Sequence, residues 1–496
     1  MLTVGETCRA GLRLLQFFLT IPRSRMRRFL FLLTFFLSAG ASFSAERPNI
    51  LWIYVDDMSD WFGCYGHDLV ATPNVDQLAA EGVLFERAYM PSPVCSTTRS
   101  ALITGTMQTS HGLHHHRTMV QKPLPEGISS IPELFRDAGY LTFNEGKDDY
   151  NFEHDRSDLY NSEFKSPKAT LVRNGKDFTW LEQLKGKNFF GQIQLAGGKI
   201  GGESGMRYPS ESRVAEDKVT VPPYYPEDPV IRNGLARHYE QVALTDDHVG
   251  KIVAALKEYG LWENTIVFFF TDHGSPMPRE KQFLYEAGLK VPLIVRYPDQ
   301  RMKGERRSDL VNGIDIPATS LAMGGIELPS FIEGHDLFAE NYQPREYVIG
   351  ARDRCGIAVD RIRTVRTDRY RYIKNYQTDR AFYQSQYRDR HKSLVQLRKL
   401  FEKGALSELQ AAYHQVEGRV AEELYDLEND PDQINNLAGD ASYAKQLARH
   451  QKILADWQKA TDDKGAYPAS QAELKAVYDY AKGKVAAPEY DFLIKQ

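Results

Sequence analysis

The chain has 496 residues, 42% of them hydrophobic and 26% charged, with 36 Gly, 24 Pro and a formal net charge of −4. That is enough apolar chain for one large domain and a smaller one, and it excludes disorder, collagen-like repeats and coiled coil as overall descriptions. So near-neutral a chain lacks the basic excess with which nucleic-acid binders displace counterions, and no nucleic-acid partner is expected.

Residues 1–45 have the order of a secretory signal peptide. Arg23, Arg25, Arg27 and Arg28 precede an apolar run from Phe29 to Leu37, and small residues follow through Ser44-Ala45. The run is too short to span a bilayer. Met26 is a candidate start, with the residues before it an extension, and an uncleaved anchor is the alternative. The expected destination is therefore outside the cytoplasm, periplasmic or secreted. Of the four cysteines, Cys8, Cys64, Cys95 and Cys355, the first lies outside any mature protein. Three are too few for a disulfide framework in an exported chain of this size, which leaves one of them available for chemistry.

Pro48 to Val55 is a continuous apolar run ending in Asp56-Asp57, as suits a strand covered on both faces. Thr72-Pro73-Asn74 carries cap-then-proline chemistry for a helix through about Glu81, with a strand from Val83 to Met90 after it. Further strands are predicted at Asn188 to Leu195, Thr265 to Thr271 and Val291 to Tyr297. Between them Leu235, Tyr239, Val242, Val249, Ile252, Val253 and Leu256 share one helical face. Strands alternating with helices predict an α/β domain over 46–345 with a large, mostly parallel sheet. After about residue 345, Tyr347-Val348-Ile349 and Asp360 to Lys374 read as short, half-exposed strands, and Leu394 to Leu424 as a charged helix. Another helix is predicted near Tyr443 to Ala460, so 346–496 reads as a smaller α+β subdomain.

Active groups in open α/β sheets gather at the carboxyl ends of strands. Asp56-Asp57 ends the first strand and Asp272-His273-Gly274 ends the Ile266 to Phe270 run. Carboxylates brought together there repel unless a cation lies between them, and oxygen donors suit Ca²⁺ or Mg²⁺ rather than zinc. Loop capping by the same residues is the structural alternative. Cys95 is placed in a turn before a helix, with Arg99 one turn on. Helix amides and a guanidinium there suit a sulfate or phosphate group, although on this fragment alone a buried small apolar residue is the better explanation of Cys95. Lys147 after Gly146 and Lys281 before Tyr285-Glu286 add positive charge.

Together these residues resemble the sulfatase family of the alkaline-phosphatase-like superfamily. The resemblance rests on Arg47 to Ile50 with Asp56-Asp57, Thr72 to Ala79, the Cys95 segment through Gly105, Thr271 to Gly274, Tyr285-Glu286 with Val291 to Val295, and the ending Glu423 to Pro431 with Asn435 to Ala438. It implies that an export-linked formylglycine-generating or anaerobic maturation enzyme oxidises Cys95 to formylglycine. One hydroxyl of the hydrated aldehyde attacks the sulfur of a sulfate ester, the alcohol leaves, and the second hydroxyl expels sulfate. A thiol cannot perform that elimination. The resemblance further implies that Asp56, Asp57, Asp272 and His273, with residue 95, hold Ca²⁺ ahead of Mg²⁺, and that Arg99, Lys147 and Lys281 neutralise the sulfate.

The chain departs from the family at four positions, one of them His273, a less hard donor than the Asn usual at the last ligand position. Thr97 stands where the modification motif has Pro or Ala. Asp149 replaces a histidine in Gly146-Lys147-Asp148-Asp149, and Gly197-Gly198-Lys199 stands for a Pro-His segment. Lys199 thus takes the place of a leaving-group acid, where it serves with a lowered pKa or as a charge on the bridging oxygen. Pro276 to Lys281 resembles a bacterial branch near N-sulfoglucosamine sulfohydrolases, which implies a sulfated sugar as substrate. His114-His115-His116 reads as a replacement acid or as a solvated loop, and Arg363 to Arg380 as a sugar platform or exposed sheet. Two alternatives stay open: a sulfated-glycan-binding homologue without turnover, and a phosphatase or phosphodiesterase on the same fold.

Overall fold

Continuous apolar strands need cover on both faces, and the chain provides it from segments far apart in sequence. The computed structural model describes residues 47–161, 178–200 and 213–494; the signal peptide expected over residues 1–45, with Cys8 and Met26, lies outside the described residues. Its main sheet contains β1 (Asn49–Val55), β2 (Val83–Tyr89), β3 (Leu141–Glu145), β4 (Phe189–Leu195), β5 (Thr265–Thr271), β6 (Lys290–Arg296) and β7 (Glu305–Asn312). The spatial order is β3-β4-β1-β5-β6-β2-β7. β3, β4, β1 and β5 are parallel, β6 is antiparallel to both neighbours, and β2 pairs with β7 in parallel.

Every residue of β1, β4 and β5 is buried. Alternate side chains of β1 serve opposite layers, as the pleat requires. Leu51, Ile53 and Val55 pack with Phe189, Val249 and Phe269, while Ile50, Trp52 and Tyr54 pack with Phe135, Phe190 and Phe270. The Pro229–Glu258 helix covers the first layer, burying Leu235, Val242, Val249, Ile252 and Leu256, as the spacing predicts. Asp228 starts it by accepting from the Val230 amide at 2.8 Å. β7 escaped the sequence reading because its first half, Glu305 to Asp309, is polar throughout and alternates half-exposed with exposed residues along the sheet edge.

Beyond residue 345 a four-stranded antiparallel sheet runs β11-β10-β9-β8, built from β8 (Tyr347–Arg352), β9 (Ile362–Thr367), β10 (Tyr370–Asn375) and β11 (Glu422–Asp426). Two expectations need correction here. The helix over Leu394 to Leu424 is instead Lys392–Glu402, a short Glu408–Ala412 turn of helix, and β11. Gly404, at φ 63°, closes the first helix in a left-handed conformation that glycine adopts without strain. Nor are these strands half-exposed, for β9 is buried throughout. Arginines in and around this sheet are hidden because acids meet them: Arg363 of β9 pairs with Asp463 at 2.8 Å and Asp353 at 3.1 Å, and Arg419 holds Asp360 alongside Arg352 of β8. Arg363, Arg366 and Arg371 therefore form neither a sugar platform nor an exposed face.

Glu286 joins the two sheets. Its carboxylate accepts from Tyr89 Oη of β2 at 2.8 Å, from Arg366 of β9 at 3.0 Å and from Arg371 of β10. Burial would raise this group, but Arg371 and Arg366 hold it down to about 2. A carboxylate depressed in the fold stabilises it above its unfolded pKa and loses that contribution as pH falls through the folded value. Glu286→Gln leaves two arginines short of a partner, and the expected loss is about 3 kcal/mol at pH 7. In urea melts of wild type and variant, that gap should narrow as pH falls from the ordinary 4.5 towards 2.

Candidate active site

Register brings the chemistry to one edge. Val55 pairs with both Leu195 and Thr271, so β1, β4 and β5 stop level and release Asp56-Asp57, Ala196 to Lys199 and Asp272-His273 side by side. Glu145 pairs with Ile193, which puts Lys147 level with these ends. The Asp56 amide donates to Leu195 O at 3.1 Å and the Asp272 amide to Val55 O at 2.9 Å, extending the ladders by one bond. The turn after β4 presses on the turn after β1, with the Gly198 amide donating to Asp56 O at 2.9 Å. A Cβ at Gly198 would stand 1.9 Å from the Asp57 carbonyl oxygen, so this approach admits only glycine.

Cys95 begins the Cys95–Thr104 helix, after an extended Val94. The segment before it is pinned on three sides: Gln108 Nε2 and the Ala351 amide donate to Pro91 O, and the Gln282 amide donates to Pro93 O, each at 2.9 Å. Cys95 is 1% exposed, and its Sγ lies 3.4 Å from each of Asp57 Oδ1, His273 Nε2, Lys199 Nζ and Lys281 Nζ. The first turn of a ten-residue helix also presents unpaired amides and a positive dipole end to whatever stands at this position.

The surrounding charges alternate in sign. Lys281 Nζ meets Asp57 Oδ2 at 2.6 Å, and Lys199 Nζ meets Asp56 Oδ2 at 2.9 Å and Asp57 Oδ1 at 3.3 Å. Lys147 Nζ reaches Asp56 Oδ2 at 3.2 Å and Asp149 Oδ2 at 3.3 Å. Arg99 pairs with Asp56, lies 3.5 Å from Asp272 Oδ2 and stacks over Tyr54 at 4.3 Å. Burial would raise Asp56 and Asp57, yet Arg99 with Lys199 and Lys147 holds the first well below the carboxylate range, and Lys199, Lys281 and His273 hold down the second. The Cys95 thiol is pushed up by burial and pulled further down by Lys199 and Lys281.

His273 shows where negative charge is in excess. Burial lowers it, but Asp272 and then Asp57 outweigh burial and bring it to about 9. Its Nδ1 donates to the Gly274 carbonyl at 2.9 Å, since a carbonyl only accepts, and Nε2 is the atom turned to Asp57 and Cys95. Asp57, Cys95, Asp272 and His273 offer donor atoms within 4.8 Å of one another and form a group able to hold a divalent cation. Asp56 stands beside it, its carboxylate turned to Arg99, Lys199 and Lys147.

The other expected residues fall as follows. Thr97 is buried, its hydroxyl 2.6 Å from Ser92 Oγ and 3.0 Å from Val94 O. Asp149 is paired with Arg117 at 3.1 Å as well as with Lys147; burial raises it, and Lys147 and Arg117 hold it at about 2. Lys199 does not have the lowered pKa that a lysine acid needs. Burial lowers it, but Asp57, Cys95 and Asp56 raise it well above the usual value. His114 to His116 are not a solvated loop: His114 and His116 are buried, and burial drives all three downward. No hydrogen bond among the described residues links the three to Cys95 or its lysines. Gln194 was missed. It accepts from Arg99 at 2.6 Å while its amide donates to Asn144 at 2.7 Å and to Lys147 O at 2.9 Å. Gln192 and Gln194, buried amides in an otherwise apolar strand, were the signal for it.

The sulfatase family pattern matches residues 48–326, more than half of the chain. The chain belongs to the sulfatase family. A second pattern, N-sulphoglucosamine sulphohydrolase, C-terminal, matches residues 278–422. This sulfatase-family chain is 29% identical over 475 residues to an ulvan-active sulfatase of Formosa agariphila, covering 86% of itself and 77% of that relative. It is 28% identical over 474 residues to the Homo sapiens N-sulphoglucosamine sulphohydrolase, covering 84% and 91%. A solved 2-O GAG sulfatase superposes with a TM-score of 0.62 at 21% identity over 87% of this chain and 96% of that one, which shows the shared fold. The α/β architecture is the alkaline-phosphatase-like one expected from the sequence.

Gly198→Ala tests the packing of the two turns. The added methyl should cost about 1–3 kcal/mol by overpacking. Because the same shift displaces Lys199 from Asp56 and Asp57, the thermal midpoint and the sulfate release should fall together.

Proposed function

We propose that this sulfatase-family chain is an exported, formylglycine-dependent hydrolase that removes sulfate, as ester or sulfamate, from a sulfated carbohydrate. The observation that carries this reading is the setting of Cys95: a helix N-terminus, two lysine ammoniums at 3.4 Å and a cation-competent donor group on the same sulfur. The names of two relatives, ulvan-active and N-sulphoglucosamine sulphohydrolase, support a sulfated glycan as substrate. Residues 1–45 support export through the secretion machinery, after maturation by a formylglycine-generating or anaerobic enzyme. No helix among the described residues is long and apolar enough to cross a membrane.

Formylglycine at residue 95 supplies a hydroxyl nucleophile, and a divalent ion held by Asp56, Asp57, Asp272 and His273, Ca²⁺ ahead of Mg²⁺, supplies Lewis acidity. The chain's own side chains do the rest. Lys281 and Lys147, each already set by an aspartate, face the sulfate oxygens and lower the cost of charge developing on them. Arg99, clamped by Gln194 and Tyr54, keeps Asp56 and Asp272 in place and contributes charge from beneath the group. Lys199 stands at the mouth, its side chain 36% exposed, and with two aspartates holding its proton it acts by its charge on the bridging oxygen.

Peptide mass spectrometry across Cys95, on protein exported by its own host and compared with an alkylated parallel sample, tests the modification. A peptide that has exchanged sulfur for oxygen and resists alkylation is expected; an intact, fully alkylated thiol overturns the formylglycine mechanism. Lys281→Ala should lower kcat about 10²–10³-fold in a sulfate-release assay, the range for loss of one preorganised charge-stabilising donor. A chelator should abolish turnover, with Ca²⁺ restoring it at lower concentration than Mg²⁺ and Asp57→Asn failing to recover.

A further inference from the structure

Lys281 reaches the Cys95 sulfur from a loop whose two ends both come to that point: His273 leaves β5 and Lys281 returns, each 3.4 Å from Sγ. The backbone on either side of Lys281 is strained. Arg279, at φ 64°, and Gln282, at φ 79°, occupy the left-handed region that residues with a Cβ leave unless something keeps them there. Gln282 is kept by its amide, which donates to Pro93 O at 2.9 Å. Arg279 is kept by its guanidinium, which lies over Tyr224 at 4.1 Å and Tyr285 at 4.0 Å and donates to Tyr413 Oη and Gln433 O, each at 2.6 Å. A third tie comes from Glu280, a buried carboxyl that no part of the proposed chemistry uses.

Glu280 Oε2 accepts from the Ser275 hydroxyl, and Ser275 in turn accepts through its carbonyl from the Lys281 amide and through Oγ from the Met277 amide, each at 3.2 Å. The other oxygen, Oε1, lies 3.3 Å from Tyr225 Oη. That phenol has one proton and directs it closely at the Pro278 carbonyl, which only accepts. A bond between Oε1 and Oη therefore needs a proton from Glu280, and the geometry fits the neutral acid. Burial acts in the same direction, pushing the group up to about 7 despite Ser275, Tyr225, Arg279 and Arg388. The phenols of Tyr224, Tyr239 and Tyr383 also face it. On its open side lies a cavity of about 220 Å³, a way for the proton to solvent, whose further ionisable lining is Asp60, His67, Glu286, Lys290 and Asp432.

We propose that Glu280 is a positioning residue for Lys281: as the neutral acid it closes the loop onto Ser275 and Tyr225, and so sets the ammonium against Asp57 and residue 95. The proposal rests on the functional reading above, in which Lys281 balances charge on the sulfate. Loss of the proton leaves Glu280 Oε1 and the Pro278 carbonyl competing for one phenol proton. One of the two ties then opens, and the strained flanks can carry Lys281 away from its 2.6 Å contact with Asp57. A carboxamide reproduces the neutral acid, its oxygen accepting from Ser275 and its NH₂ donating to Tyr225.

The test follows kcat and KM for sulfate release from glucosamine N-sulfate and from an ulvan oligosaccharide, on both sides of neutral pH, in wild type, Glu280→Gln and Glu280→Ala. Wild-type kcat should carry a falling limb as pH rises through about 7, and Glu280→Gln should lack that limb while matching wild type below it. Glu280→Ala should lose about tenfold or more in kcat at every pH with KM little changed, as when a charge-stabilising group is misplaced. The same limb in Glu280→Gln, no limb in wild type, or full kcat in Glu280→Ala overturns the proposal. If Glu280→Ala does not fold, the Glu280→Gln profile decides alone. If no form releases sulfate from either probe, the functional reading fails instead, and thermal melts decide the state of Glu280. A carboxyl raised in the fold contributes stability below its unfolded pKa and loses it as pH rises through the folded value, so the Glu280→Gln midpoint should gain on wild type between pH 4.5 and about 7. Parallel midpoints overturn the neutral acid and the proposal with it.

Discussion

Charge balance at the end of β1 governs this structure. Asp56, Asp57 and Asp272 are buried within a few ångströms of one another, and three desolvated carboxylates would not stay ionised there alone. Arg99, Lys147, Lys199 and Lys281 make the arrangement tenable, each drawn from a different strand end or loop. The cluster therefore works as a fastener as well as being the candidate active site. It ties β1, β3, β4, β5 and the Cys95 helix to one point, and altering any one charge leaves an opposite one stranded in a dry place.

How much of this could be read beforehand follows from the range of the interactions. β1, β4 and β5 were legible because a strand buried on both faces has to be apolar throughout, and the acids after them stood out against that run. The Pro229–Glu258 helix announced itself by period. The partners were harder: Gln194 with Arg99, Asp463 with Arg363 and Glu286 with Arg371 are ion pairs or hydrogen bonds across long stretches of chain, and no local pattern marks them. Lys199 was found from its place after β4, but its protonation depends on Asp56 and Asp57, two strands' worth of folding away. The arginines of β9 and β10 were misread for the same reason, since a charged strand looks solvated until its buried acids are known.

The motif residues divide accordingly. Asp57, Asp272, His273 and Lys281 meet at the Cys95 sulfur and Asp56 stands beside them, whereas Tyr285 and Glu286 take no part there. Tyr285 donates to Glu423 at 2.8 Å and Glu286 binds Arg366 and Arg371, so this pair holds the second sheet against the first. β8 in turn grips the approach to the Cys95 helix through Ala351 and Pro91. Chemistry and scaffold thus share one stretch of sequence, with adjacent residues facing different tasks.

The burial of Cys95 bears on the order of events in the life of the chain. With the sulfur 1% exposed, Thr97 equally hidden and the preceding loop bonded to β8, no protein catalyst can reach this side chain once the two sheets have closed. Any enzyme that alters it has to meet an open chain, so modification and folding run as competing clocks. On the proposed formylglycine reading, a chain that folds first keeps its thiol, and the yield of modified molecules becomes a matter of timing rather than stability.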